Sequence, residues 1–118
     1  MAASNYLKQE ILKQYFTSNI TISLYISNPT ASDTGIEVSG GGYKRMPISF
    51  TAPGTSITNK DTITFPLALT KWGRITHYAI RNSAGTLLVF GEIATPREVI
   101  ASDEVVFRAG TVKIEFEV

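Results

Sequence analysis

From Ile20 onward the apolar residues of this chain recur with a period of two, and Gly, Pro and Asn break the alternation at short intervals. No other feature constrains the fold as much, because successive side chains of an extended strand point to opposite faces. Ile20, Ile22, Leu24 and Ile26 fall on one face of a first strand, with Thr21, Ser23 and Tyr25 on the other. Asn28-Pro29 stops it, since proline lacks the N–H that a ladder requires. Met46, Ile48 and Phe50 alternate with Arg45, Pro47 and Ser49, and Pro47 places this strand at an edge or beside a bulge. Ala52-Pro53-Gly54 reads as a turn, and Ile63 and Phe65 alternate with Thr62 and Thr64 before Pro66.

From Arg74 to Arg81, Ile75, His77 and Ala79 oppose Thr76, Tyr78 and Ile80. Neither face is clearly polar, so this strand is expected in a sheet covered on both sides. Asn82-Ser83-Ala84-Gly85 has the length and composition of a hairpin loop. Leu87 to Phe90 reads as a buried strand, Thr95-Pro96 as a turn, Glu104 to Phe107 as a short strand and Ala109-Gly110 as a turn. In the last strand Val112, Ile114, Phe116 and Val118 point inward, and Lys113, Glu115 and Glu117 outward. Seven or eight short strands at this spacing predict a mainly all-β fold. The expected architecture is an antiparallel β-sandwich, jelly-roll-like or immunoglobulin-like, with one short N-terminal α-helix.

That helix is expected over residues 4 to 16, with Ser4 or Asn5 as N-cap and Thr17-Ser18-Asn19 ending it. Leu7, Ile11, Leu12, Tyr15 and Phe16 share one face at helical spacing, and Lys8, Gln9, Lys13 and Gln14 fill the other. A helix this short needs tertiary or partner contact to persist. Residues 1–18 are therefore read as a helical docking segment and residues 19–118 as the β-sandwich domain.

At 118 residues the chain fits one domain able to hold a core without staples. The absence of cysteine excludes disulfides, zinc–thiolate sites and thiol nucleophiles. A net charge of +1 leaves no electrostatic footprint for nucleic acid. No apolar run approaches the length of a membrane span. The opening MAASNYLKQEILKQYF lacks the pattern of a signal peptide, so a protein made and assembled in a cytoplasm is expected.

No chemistry-bearing constellation emerges. His77 is the only histidine and reads as a structural strand residue; no Gly-x-Ser-x-Gly elbow accompanies it. Gly40-Gly41-Gly42-Tyr43-Lys44 lacks the Gly-Lys-Ser/Thr ending of a phosphate loop and does not open a helix. Its glycines read instead as a sharp bulge with positive φ, holding Tyr43 beside Lys44 and Arg45. Asp33, Glu37, Asp61 and Asp103 are scattered along loops without calcium-loop spacing. Neither a cofactor nor a metal is expected. Tyr6, Tyr25, Tyr43, Trp72 and Tyr78 are candidate contact aromatics, with core packing as the default and a sugar- or protein-contact platform as the alternative.

Several segments together resemble a family of small tailed-phage virion proteins, labelled tail fibre or minor structural proteins. The resemblance runs from Asn5 to the C-terminus. It rests on Ser4-Asn5-Tyr6-Leu7, on Leu24-Tyr25-Ile26-Ser27-Asn28-Pro29-Thr30, on Gly35 to Arg45 and on Phe50 to Pro53. Thr64-Phe65-Pro66, Ala68, Trp72-Gly73, Thr76-His77 and Gly85 to Gly91 complete it. It implies a non-enzymatic virion structural protein of a double-stranded DNA phage. The chain is too short for a fibre shaft and has no heptads, so a knob, an adaptor or a capsid decoration is the form expected.

Two readings follow. In the first, the chain attaches to other virion proteins, of capsid or tail, as a homo-oligomer, with a trimer as the favoured form. Partner contacts would fall on Leu7, Ile11, Tyr15 and Phe16 of the helix and on Tyr25, Gly40, Gly41, Gly42, Tyr43 and Trp72. In the second, Tyr25, Tyr43 and Trp72 recognise a host-surface glycan. Neither reading involves nucleic acid or a membrane.

Overall fold

A computed structural model of the chain describes residues 3–16, 19–51 and 56–115. It is an antiparallel β-sandwich with one short helix. The elements are α1 (Asn5–Tyr15), β1 (Thr21–Tyr25), β2 (Met46–Pro47), β3 (Ser56–Thr58), β4 (Ile63–Thr64), β5 (Gly73–Arg81), β6 (Leu87–Val99), β7 (Val106–Phe107) and β8 (Lys113–Glu115). One layer is a four-stranded sheet in the order β2-β1-β5-β6; the other consists of the pairs β3-β8 and β4-β7.

Ser4 caps α1, its hydroxyl accepting from the Leu7 amide at 3.2 Å, which satisfies one of the orphan donors of the first turn. Leu12 and Phe16 turn inward and join the core, and Phe16 meets Phe50 edge-on at 6.1 Å. The helix is thus packed into the same core as the strands.

β1 and β5 pair in register from Thr21↔Arg81 to Tyr25↔His77 and lie inside the sheet. Ile22, Leu24 and Ile80 face the sandwich core, while Ser23, Tyr25 and Ala79 are buried on the opposite face. The loop after β1 covers that second face: Asp33 forks onto the buried Arg81 at 2.7 and 2.9 Å, and the Arg81 guanidinium lies 5.6 Å from the Tyr25 ring centre. Burial pulls Arg81 below its ordinary pKa.

The Pro47 expectation is met, since β2 is an edge strand. The hairpin is also where the sequence puts it: Asn82 Oδ1 accepts from the amides of Ala84 and Thr86, and Gly85 adopts φ +84°. Three readings change. Thr95-Pro96 does not turn the chain but lies inside β6. Between the pairs Ile75↔Arg97 and His77↔Glu92 the register shifts, so Pro96 sits in an irregularity of an edge strand, where its missing N–H costs no ladder bond. Leu87 to Phe90 is half-buried to exposed rather than buried, because β6 ends the sheet. Ile26 lies beyond β1 and is exposed. The expected turn at 52–54 and the inward positions of Phe116 and Val118 lie outside the described residues.

A buried asparagine that the periodicity does not flag fixes the second layer. Asn59 Nδ2 donates to the carbonyls of Asp61 and Arg108, and its Oδ1 accepts from Val112 N–H at 2.9 Å. One side chain so joins the β3–β4 corner to the β7–β8 corner, with its amide hydrogen-bonding capacity used internally.

Candidate functional site

β2 pairs with only the first two residues of β1, so beyond Ile22 the β1 backbone needs other partners on that side. The segment from Ile36 to Tyr43 supplies them. Val38 N–H donates to Leu24 C=O at 3.0 Å, and Ile26 N–H donates to Ile36 C=O at 3.0 Å. Between these, Leu24 N–H donates to the Tyr43 hydroxyl at 3.0 Å. That hydroxyl in turn donates to Glu37 Oε2 at 2.6 Å, and Arg45 clamps the same carboxylate through Nε at 3.0 Å and Nη2 at 2.8 Å. Tyr43 therefore substitutes a phenol oxygen for a missing strand carbonyl. Burial, then the hydrogen bond to Glu37, pushes its pKa far above the ordinary tyrosine value.

The glycines aim Tyr43. Gly40, Gly41 and Gly42 all have positive φ, at +74°, +58° and +82°. Gly41 C=O accepts from both Leu69 N–H and Trp72 Nε1, each at 2.9 Å. A Cβ on Gly41 would lie 2.6 Å from Thr70 Oγ1, so only glycine fits this close approach. Trp72 is buried and meets the Tyr43 ring edge-on at 5.5 Å, while Phe65 stacks on Tyr43 at 6.2 Å.

These contacts redistribute the sequence-predicted contact residues. Tyr25, Phe16 and Trp72 are buried in the chain's own interior and offer no surface to a partner. Tyr43 is half-buried with its hydroxyl committed, and the glycines act through backbone geometry. The reason is shared: aromatic side chains in a small domain gain most by filling its interior. Leu7 and Tyr15 do remain outward, 47% and 49% exposed, beside Tyr6 at 72%, and Ile11 is half-buried. A shallow cleft lined by Ile11, Tyr15, Phe16, Leu88 and Val89 runs along the inner side of this face.

His77 Nδ1 bonds the neighbouring Thr76 hydroxyl at 2.8 Å, with no carboxylate among the described residues bonded to the ring. Among the described residues no group of three or more His, Asp or Glu could hold a metal ion, and no helix is long and apolar enough to cross a membrane. A groove of about 380 Å³ lies between β6 and β7 over Ile75, Val99 and Phe107. Arg97 Nη2 spans it to Glu104 C=O at 2.6 Å.

A family model described as Podophage GP4 fiber I protein gp80 matches residues 2–115. The chain belongs to this family. It is accordingly a fibre-type structural component of a phage virion, and the family is one of structural proteins. Association with other virion components follows from that membership. No curated protein matches the chain.

Proposed function

We propose that this fibre-family protein is a non-enzymatic attachment subunit. It docks through the outward face of α1 onto another virion protein, as a tail- or fibre-associated module or a capsid decoration, and it acts as a homo-oligomer assembled in the host cytoplasm. The observation that carries this reading is the two-sidedness of α1. Leu12 and Phe16 anchor the helix to its own domain, while Leu7 and Tyr15, neighbours on one helical face with Ile11, leave apolar surface facing out. Exposed apolar side chains grouped on one face, rather than scattered singly, are what a docking contact uses.

A glycan-reading module has less support. Stacking on sugar needs an accessible aromatic face, and Tyr25 and Trp72 are buried.

Deleting the helix would also remove Leu12 and Phe16 from the core, so the clean test spares them. Leu7→Asp combined with Tyr15→Asp should leave the thermal midpoint of the isolated protein nearly unchanged. The same variant, introduced into the phage, should be missing from purified virions. Normal incorporation of the double variant would exclude docking through this face.

A further inference from the structure

β6 is the long edge of the four-stranded sheet, and its backbone is paired on one side only. Among the described residues, the main chain from Leu88 to Glu98 makes no hydrogen bond other than those to β5. In an antiparallel ladder alternate residues turn both N–H and C=O away from the partner strand, so such an edge presents a row of free donors and acceptors. The two halves of the edge differ. From Ile93 to Glu98 it is blunted. Ile93 to Pro96 stand opposite Thr76 alone, Pro96 has no N–H to offer, and Arg97 and Glu98 are charged. These are the devices that keep sheet edges from pairing with other chains. From Val89 to Gly91 none of them is present, and the residues pair in unbroken register with Ile80, Ala79 and Tyr78. A bulge at Leu88 precedes this run, and Glu92 ends it.

Clefts flank this stretch on both faces of the sheet. On the core side, one lies between Val89 and Phe90 and the facing β8, over Tyr78 and Ile114. On the other side, a second runs along Leu87 to Phe90 beside Ala31, in the loop that covers that face. The two share Val89 and Phe90. Leu88 and Val89 also line the cleft against Ile11 and Tyr15, so the surface is continuous from α1 to the strand edge. The charged groups among these lining residues, Lys113 and Glu115, pair with each other at 2.8 Å.

We propose that the Val89–Glu92 edge takes an added β-strand: an extended segment, apolar at alternate positions, of the virion protein to which this chain attaches. The proposal rests on the attachment reading and names a second contact with that partner. The free main-chain groups would hold the segment's backbone. Successive side chains of a strand point to opposite faces, so its alternate side chains would enter the two clefts. An extended segment suits this edge better than a second folded copy. The edge is recessed between α1 and β8 on one side and the Ala31 loop on the other, with Leu87, Leu88 and Val89 already half-buried.

Hydrogen exchange read by mass spectrometry, on the protein in purified virions and on the isolated full chain, tests the main chain directly. Amides of Val89 to Glu92 that face away from β5 should exchange freely in the isolated protein and slow about tenfold or more in the virion. Phe90→Lys places a charge where both clefts meet. Phe90 is 38% exposed and outside the core cluster, so the thermal midpoint should hold while copies per virion fall about tenfold. Should the substitution unfold the chain, the wild-type exchange comparison decides alone. Equal exchange in virion and isolated protein overturns the proposal, as does normal incorporation of Phe90→Lys. So does protection that grows in the isolated chain between about 1 and 100 µM, since a second copy would then hold the edge. Helix docking is judged separately. Loss of the Leu7→Asp, Tyr15→Asp variant from virions, with β6 unprotected in the wild type, refutes the strand and leaves the helix. Its normal incorporation with β6 protected does the reverse.

Discussion

Removing a single oxygen, by Tyr43→Phe, tests the Tyr43–Glu37–Arg45 hydrogen bonds that tie the segment from Ile36 to Tyr43 to β1. The ring keeps its contacts with Phe65 and Trp72, so packing is conserved and the change isolates the hydroxyl. Two bonds are lost. The one donated to the Glu37 carboxylate is charge-assisted, worth about 1.5–3 kcal/mol, and losing the other leaves the Leu24 amide without an acceptor, at about 1–3 kcal/mol. Glu37 keeps Arg45, and the half-exposed ion pair is screened by solvent, so the net loss should be about 3 kcal/mol. Glu37→Gln keeps an acceptor for the hydroxyl and should cost only about 1 kcal/mol. Chemical denaturation followed by fluorescence of Trp72, the only tryptophan and a direct neighbour of Tyr43, measures both. A Tyr43→Phe loss below about 0.5 kcal/mol would refute the argument that this hydroxyl completes the β1 ladder.

The glycines separate strain from crowding. Gly40→Ala adds a Cβ in open space at φ +74° and should cost about 1 kcal/mol, whereas Gly41→Ala drives a Cβ against Thr70 and should cost about 2–4 kcal/mol, compared by thermal melts. Alkaline pH should act through Tyr43. Its folded pKa is raised above that of the unfolded chain, so its stabilisation is full below about pH 10 and is lost as pH rises beyond. Equilibrium unfolding of the wild type should weaken there by up to about 1.4 kcal/mol per pH unit, reduced by partial solvent access, with a shallower slope in Tyr43→Phe.

How far the sequence speaks depends on the range of the interaction. The period of two located β1, β5 and the inward Val112 and Ile114, because facing is a local property of the backbone. The Ser4 cap, the Asn82 hairpin and the edge position of Pro47 were legible for the same reason. The glycine triplet announced positive φ, but nothing local says that Gly41 C=O would receive Leu69 and Trp72. Pro96 misled as a turn because its place in an edge irregularity depends on strand order. Asn59 left no signal, since its three partners come from two corners distant in sequence.

For function the division is similar. Composition and the lack of any reactive constellation pointed away from catalysis, and the segment pattern pointed to a phage virion family. Which apolar side chains stay outside was a tertiary matter. Leu12 and Tyr15 share one helical face, yet Leu12 is buried and Tyr15 is half-exposed, because a helix laid on a sandwich covers only the stripe its neighbours can reach. Tyr25 and Trp72 had the chemistry of contact residues and were taken into the interior, where burial and hydrogen bonding stabilise them more than solvent would. The sequence by itself determined the strand-rich fold and its family; packing alone decided which apolar side chains stay outside, leaving Leu7 and Tyr15 of α1 at the surface and taking Tyr25 and Trp72 into the interior.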